Sequence, residues 1–217
     1  MSEAPKATPI AFMSDIHGNA KALKAVLDEL ARQDVRVIYA AGDHLLGGDE
    51  PLETWRLLQK ANVQCARGLS ELAMLRVDPD ELSPTGDEEF AKVDQFIETR
   101  RALGDLILEQ IRRLEPTLRV PLIDGRELLV VHGSPSDPLG EISHDASDEE
   151  LEALVSSDPA DIVVCGASHV AFRRDIEGTT ILSVGSVGAS PSGVAHFTVV
   201  RPRMDGLEVH QDHVEYA

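Results

Sequence analysis

Short apolar runs and helix-spaced apolar residues alternate along the first third of the chain. The apolar run Pro9–Met13 is followed by apolar residues three and four apart over Leu23–Leu30, and then by a second run, Val35–Ala41. Short runs bounded by polar residues favour buried strands, and the three-and-four spacing favours an amphipathic helix. The pattern predicts a βαβ unit with parallel strands, in which Asn19 caps the helix.

A long polar segment with helical spacing follows in the middle of the chain. After a helix predicted near Leu52–Ala61 and a strand at Val63–Ala66, the segment from Pro79 to Arg113 predicts a helical insertion at about residues 79–113, flanking the functional site. The segment carries two apolar stripes: Phe90, Val93, Phe96 and Ile97, and then Leu106, Ile107 and Ile111. A stripe that faces a core has the same pattern as one that faces a partner.

The second half of the chain is patterned mainly as β-structure. Asp124-Gly125 lies between the strand-like runs Leu118–Leu122 and Glu127–Val131, which predicts a hairpin. Asp161–Cys165 predicts a buried strand, and the region from Phe172 onward predicts antiparallel strands. The whole pattern predicts a single domain of α/β class over residues 1–217.

The charge balance narrows the possible ligands. The chain has 38 acidic and 20 basic residues, a formal net charge of -18. This excess repels polyanions and provides no basic stripe for a nucleic-acid backbone. A small phosphorylated substrate remains compatible with it, because a bound divalent cation reverses the charge of its own site.

Other features of composition concern the cellular setting. Met1–Pro9 has no apolar signal core, and no stretch approaches the roughly 18 apolar residues of a membrane helix. Cys65 and Cys165 lie in apolar strand-like runs, where a buried thiol is favoured over a disulfide. We expect a soluble cytoplasmic protein without membrane partners, and the sequence leaves the oligomeric state open.

Five polar residues share one position in the predicted fold. Each lies within a few residues of the end of a predicted strand, usually beside a glycine: Asp15, His17, Asp43, His132 and His169. Ligands bind at this end of the strands in open α/β sheets, so the five can converge from distant parts of the sequence. Carboxylate oxygens with imidazole nitrogens suit Mn, Fe, Zn or Ni.

Four blocks around these residues resemble the signature blocks of calcineurin-like metallophosphoesterases, in order and in spacing: Ser14-Asp15-Ile16-His17-Gly18-Asn19, Gly42-Asp43, His132-Gly133-Ser134-Pro135 and Gly166-Ala167-Ser168-His169. Gly185-Ser186-Val187-Gly188 resembles the tail loop of the same family. The chain is similar to its small bacterial and archaeal phosphodiesterase-type branch. The resemblance implies a four-layer sandwich, in which two mixed β-sheets pack face to face with helices outside.

The resemblance also implies two metal ions bridged by one aspartate. It assigns Asp15, His17, Asp43 and His169 to the first metal, and Asp43 and His132 to the second. Asp15, His17 and Asp43 are the implied catalytic residues. We expect a divalent transition metal, with Mn²⁺ first and Fe, Zn or Ni as alternatives.

The chain departs from the family pattern at three positions. Leu69 stands where the family has an asparagine ligand, and Ser70 stands where it has an acid histidine. Ala167 removes a further histidine ligand. All three changes concern the second metal or proton donation to the leaving group, so one complete site and one damaged site are predicted.

Two functions remain open at this stage. One is a phosphodiesterase or phosphatase that hydrolyses a phosphate ester with a metal-activated water, and that prefers activated aryl diesters because no positioned acid protonates the leaving group. The other is a catalytically impaired or inactive homologue that binds a phosphorylated ligand or regulates a partner. Two histidines are candidates for replacing a lost ligand, His44 and His144. No role is assigned to His196, His210 or His213.

Overall fold

The computed structural model describes residues 8–190, 193–204 and 206–216. Helices and strands alternate in its first half, and strands prevail in its second. In chain order the elements are β1 (Ile10–Met13), α1 (Ala20–Arg32), β2 (Val37–Ala40), α2 (Pro51–Lys60), β3 (Gln64–Cys65), α3 (Leu69–Arg76), α4 (Asp87–Arg112), β4 (Thr117–Pro121), β5 (Glu127–Val131), α5 (Asp148–Val155), β6 (Ile162–Cys165), β7 (Ala171–Ile176), β8 (Thr179–Val184), β9 (Val194–Arg203) and β10 (Gly206–Glu215).

The strands form two mixed sheets within the described residues. The first has the order β10-β9-β1-β2-β3, and the second has the order β4-β5-β6-β8-β7. β1 is parallel to β2, which confirms the predicted βαβ unit. The hairpin of β4 and β5 is also confirmed. The terminal region departs from a purely antiparallel arrangement, because β8 pairs in parallel with β6 while β9 crosses to the first sheet and pairs with β1.

Alternating side chains of the strands face two different cores. Ile10 and Phe12 of β1 pack between the sheets against β5, β6 and β8. Ala11 and Met13 face the opposite side, where α1, α2 and α4 cover the first sheet. α5 covers the outer face of the second sheet. This order of helices, sheet, sheet and helix confirms the predicted four-layer α/β sandwich.

Asn19 begins α1 as predicted, since its Oδ1 accepts a hydrogen bond from the backbone N–H of Ala22 at 3.0 Å. Cys65 and Cys165 are buried free thiols. Burial raises the pKa of Cys165 to about 12, so this thiol stays protonated at neutral pH. Among the described helices, none combines the length and the apolar character that a membrane span requires.

The segment predicted as a helical insertion contains a long helix, and part of its apolar pattern does not face the core. A short 3-10 turn at Pro79–Glu81 precedes α4, whose Gly104 has non-helical dihedral angles (φ 69°, ψ 168°). Phe96 and Ile111 are buried, whereas Phe90 is 53% exposed and Leu106 is 76% exposed. Phe90 belongs to an exposed first part of the helix. Leu106 is five residues before Ile111, about 140° away around the helix, so the two side chains lie on different faces.

Candidate metal centre

The predicted site residues lie in loops at the carboxyl ends of four strands. Asp15 and His17 follow β1, Asp43 follows β2, His132 follows β5 and His169 follows β6. The first three therefore come from one sheet and the last two from the other. The structure brings all five sequence-predicted ligands to one end of the sandwich.

Backbone strain is concentrated in these loops. The described chain has seven non-glycine residues with positive φ, and five belong to this region: Asp15, His17, Asp43, Ala167 and His169. Such a conformation costs on the order of 1 kcal/mol or more for each residue, and it persists where the surroundings enforce it. Strained residues of this kind cluster at active sites and ligand sites, which makes this end of the sandwich the candidate functional site.

Hydrogen bonds between loops hold the strained backbone. The N–H groups of Asp15 and His17 donate to the carbonyls of Gly42 and Asp43 at 3.1 and 3.0 Å. The tail loop packs on the same turn, because the N–H of Gly188 donates to the carbonyl of Asp15 at 2.9 Å. A β-carbon at Gly188 would lie 1.8 Å from the carbonyl oxygen of Ile16, so this contact requires glycine.

Asp15, His17 and His169 form the first group of potential ligands. Nε2 of His169 lies 3.2 Å from Oδ1 of Asp15, and Nε2 of His17 lies 3.6 Å from the same oxygen. The two Nε2 atoms are 3.2 Å apart. Oδ1 of Asp15 is buried and has no hydrogen-bond donor in good geometry.

These separations fit a shared cation. Ligand atoms about 2.1 Å from one ion, at tetrahedral or octahedral angles, lie about 3.0–3.4 Å from one another. A buried carboxylate oxygen without a donor is costly unless a cation compensates it. The three residues therefore fit a divalent transition metal.

Backbone carbonyls fix the orientation of two imidazoles. Nδ1 of His17 lies 2.8 Å from the carbonyl oxygen of Leu46, and Nδ1 of His132 lies 2.9 Å from that of Ala41. A carbonyl can only accept, so each Nδ1 carries a proton, and Nε2 is the ring nitrogen that faces the carboxylates. Metal-binding histidines are commonly oriented in this way.

Asp15, Asp43 and His132 form a second group of potential ligands. Nε2 of His132 lies 3.4 Å from Oδ1 of Asp43. That oxygen also accepts a hydrogen bond from the backbone N–H of Ser70, at 2.8 Å. Asp15 belongs to both groups, while the bridging role that the family resemblance gives to Asp43 stays a prediction.

The three positions that depart from the family pattern supply no side-chain ligand. Leu69 is the first residue of α3 and is 50% exposed. It precedes Ser70, whose backbone N–H binds Asp43. The Ser70 hydroxyl is directed at Glu71, 3.4 Å away. Ala167 contributes only its backbone N–H, which donates to Oδ2 of Asp15 at 3.1 Å.

The candidate replacement histidines lie outside both groups. His44 is fully buried, and its Nε2 donates to the carbonyl of Ala66 at 2.8 Å, so its ring supports the loop. His144 is exposed and pairs with Asp145 at 2.8 Å. His196 and His213 face each other across β9 and β10, with ring centroids 5.8 Å apart.

Glu71 is a site-supporting residue that sequence reasoning missed. It is fully buried, and its carboxylate accepts hydrogen bonds from the backbone N–H groups of Asp43, His44 and Gly68 at 2.8–3.0 Å. It thereby joins the Asp43 loop to the start of α3. The available signal was its place in Gly68-Leu69-Ser70-Glu71, as an acidic residue in the first turn of a helix.

The electrostatics favour a charged carboxylate at the centre. Burial on its own would raise the pKa of Asp15, but close contact with His169 and His17, together with the charge of His132, outweighs burial and lowers that pKa well below its ordinary value. Burial would lower the pKa of His17, yet contact with Asp15 and the Leu46 carbonyl raises it overall. An ionised Asp15 is the form that binds a cation.

A cavity opens on the His17 and His169 side of the centre. Its volume is about 520 Å³, and the other lining residues include Asn19, Lys21 and Tyr216. The residues of the second group, Asp43 and His132, do not line it. The described structure is therefore open to ligands beside the first group.

Comparison with known proteins finds relatives with the same fold. Protein MJ0912 of Methanocaldococcus jannaschii is 24% identical over 183 residues, which is 82% of this chain and 69% of that protein. The crystal structure of protein PH1004 from Pyrococcus horikoshii superposes with a TM-score of 0.80 at 24% identity, over 97% of this chain and 89% of the other. A metallophosphoesterase from Sphaerobacter thermophilus gives a TM-score of 0.75 at 24% identity, over 98% and 90%.

The family assignment rests on most of the chain. The model of the calcineurin-like phosphoesterase superfamily domain matches residues 9–204, a range that holds all five potential ligands and the tail loop. Family and site together support a metal-dependent phosphoesterase in general terms. The chain belongs to the calcineurin-like phosphoesterase superfamily.

Proposed function

We propose that this protein hydrolyses a phosphate ester, as a phosphodiesterase or phosphatase, at a single well-formed metal site. The observation that carries the proposal is the convergence of Asp15, His17 and His169, whose three ligand atoms lie 3.2–3.6 Å from one another. One of the three, Oδ1 of Asp15, is buried and has no hydrogen-bond donor. A bound divalent ion would supply a Lewis acid that polarises the phosphoryl group and acidifies a water molecule.

The protein groups hold and orient the reaction centre. The carboxylates of Asp15 and Asp43 would attract the cation, and the carbonyls of Leu46 and Ala41 orient the rings of His17 and His132 so that Nε2 of each faces these carboxylates. The Ser70 N–H holds Asp43 in place. Mn²⁺ is the metal we propose first, with Fe, Zn and Ni as alternatives of the same ligand preference.

The arrangement of Ser70 determines the proposed leaving-group preference. Its hydroxyl is buried and directed at the Glu71 carboxylate, so it does not serve as a proton donor to a substrate. Loss of a general acid costs on the order of 10²–10⁴ in rate, mostly for poor leaving groups. We expect aryl phosphodiesters to react far faster than alkyl phosphates, and equal rates would contradict this.

A noncatalytic role is the second candidate, and Leu69 is the observation that favours it. Its apolar side chain is half exposed at the start of α3, where the resemblance implies a metal ligand. In this alternative the protein keeps one ion, or none, and binds a phosphorylated ligand or a regulatory partner.

We propose that the substrate is a small phosphorylated molecule. We also propose that the protein works in a reducing compartment such as the cytoplasm. The net charge of -18 argues against binding along a nucleic-acid backbone. The free buried thiols of Cys65 and Cys165 support the compartment.

The first test is hydrolysis of bis-p-nitrophenyl phosphate with Mn²⁺ by the native chain and by Asp43→Asn. His144→Asn is the matched control, because His144 is an exposed residue of neither ligand group. Metal-dependent turnover that Asp43→Asn abolishes and His144→Asn retains would support the enzyme. Background rates with Mn²⁺, Zn²⁺ and Fe²⁺ alike would favour the noncatalytic protein.

A further inference from the structure

The cavity beside His17 and His169 is large enough for more than a phosphate group. Its volume of about 520 Å³ lies in the range of sites that enclose a whole organic ligand. Because both histidines line it directly, a phosphate held at the first ligand group would direct one of its substituents into the cavity.

A fixed aromatic ring forms one wall of this cavity. The hydroxyl of Tyr216 accepts a hydrogen bond from Nδ2 of Asn19 at 3.3 Å, and the Tyr216 backbone N–H donates to the carbonyl of Gly193 at 2.9 Å. Asn19 is held in turn, because its Nδ2 also donates to the carbonyl of Gly188 at 3.2 Å. A ring that is positioned before binding gives a stacking surface at little entropic cost.

Glycines bring the main chain against His17 and give the cavity a backbone wall. A β-carbon at Gly48 would lie 2.5 Å from the carbonyl oxygen of His17, and one at Gly18 would lie 2.7 Å from that of Leu45. Gln95 of α4 ties the loop down further, since its Nε2 donates to the carbonyl of Gly47 at 2.6 Å. The wall is therefore preformed and polar.

Three charged side chains line the cavity without being used elsewhere in the described structure. They are Lys21, Asp49 and Glu50, for which no side-chain hydrogen bond or ion pair occurs among the described residues. Two carboxylates accept hydrogen bonds from hydroxyl groups, and their excess over one ammonium disfavours an anionic substituent. Carboxylates beside an aromatic face match a ring that carries hydroxyl groups.

We propose that the cavity binds one organic substituent of a phosphodiester and that this substituent is an uncharged, hydroxyl-bearing ring, as in a sugar or a nucleoside. The proposal rests on the proposed function for the position of the phosphate. It makes Tyr216 a specificity-determining residue. It also predicts that small phosphomonoesters and polyanionic nucleic acids are poorer ligands than such a diester.

The kinetic test uses three diesters with the same p-nitrophenolate leaving group, whose second substituent is methyl, glucosyl or thymidin-5′-yl. We expect kcat/KM for at least one ring ester to exceed that for the methyl ester about tenfold or more, the scale of one stacking contact. The two ring esters distinguish a sugar from a nucleoside. Tyr216→Leu should bring the ratio close to one, whereas Tyr216→Phe, which keeps the ring, should retain most of it.

A binding measurement keeps the two proposals separable. Calorimetry with Mn²⁺-loaded protein compares dimethyl phosphate with the methyl diesters of thymidine 5′-phosphate and glucose 1-phosphate. We expect one ring ligand to bind more tightly than dimethyl phosphate. Tyr216→Leu should lose this difference, and the exposed control Glu149→Gln should retain it. That result would support ring binding in the cavity even where no diester is hydrolysed. Equal kcat/KM for all three substrates, or equal affinities where none reacts, would overturn it.

Discussion

The two halves of the metal centre differ in the number of ligand side chains, although backbone contacts to the carboxylates occur in both. The first half has three ligand side chains within 3.2–3.6 Å of one another, and a carbonyl fixes the His17 ring. The second half has Asp43 and His132, with Leu69 and Ala167 where the resemblance implies further ligands. Even so, the backbone N–H groups at Ser70 and Ala167 still donate to Asp43 and Asp15. The scaffold of the second half is thus intact, and what it lacks is donor atoms.

The sharpest test of this contrast removes one ligand from each half. His169→Asn should lower Mn²⁺ affinity and kcat/KM on the order of 10³-fold, because it removes a ligand that belongs only to the first group; loss of an outer partner alone costs 10–100-fold. His132→Asn should cost about tenfold. Metal titration and steady-state kinetics measure both. Equal losses would mean that the two halves contribute alike.

Glu71→Gln tests the support beneath the second half. The glutamine brings an N–H₂ group into a position that accepts three backbone N–H groups, so a buried charge-assisted network is lost. We expect the free energy of unfolding to fall by about 3 kcal/mol. Urea denaturation gives this value, with the exposed Glu149→Gln as the control. A change as small as in that control would contradict the supporting role of Glu71.

Restoring donor atoms should repair the second half if its scaffold is intact. In the double variant Leu69→Asn, Ala167→His, the new side chains start from backbone that already lies against Asp43 and Asp15. We expect a second equivalent of Mn²⁺ and a rise in kcat/KM of about tenfold, or about 1.4 kcal/mol. Metal analysis after dialysis counts the ions. One equivalent with unchanged kinetics would show that more than donor atoms has been lost.

The smallest expected effect concerns the strain that the second half retains. Ala167 has φ 60° but presents no ligand, so Ala167→Gly should raise the free energy of unfolding by about 0.5 kcal/mol while keeping the N–H that binds Asp15. The same substitution in the exposed part of α5, Ala153→Gly, should lower it by about 1 kcal/mol. Thermal unfolding compares the two. If both substitutions lowered the free energy of unfolding, glycine would not release the strain at Ala167.

Local pattern and strand-end position were enough to predict many of the helices and strands and to select all five potential ligands, whereas the four-layer sandwich came from the family resemblance. The β1–α1–β2 unit, the β4–β5 hairpin and the two free thiols follow from short-range spacing and apolar runs. These features depend on neighbouring residues, so a single sequence contains their signal.

The features that were missed depend on contacts between distant segments. The support from Glu71 requires that α3 meet the Asp43 loop. Tyr216 lines the cavity only because β10 runs beside β9 and ends near Asn19, 197 residues earlier in the chain.

The origin of the ligands from two different sheets has a consequence for folding kinetics. His17 and His169 are 152 residues apart in sequence, and their Nε2 atoms come within 3.2 Å only when both sheets have packed together. The complete ligand set therefore forms only when the two sheets meet. We expect added Mn²⁺ to slow unfolding more than it speeds refolding, so that the ion would make the native state persistent rather than quickly formed.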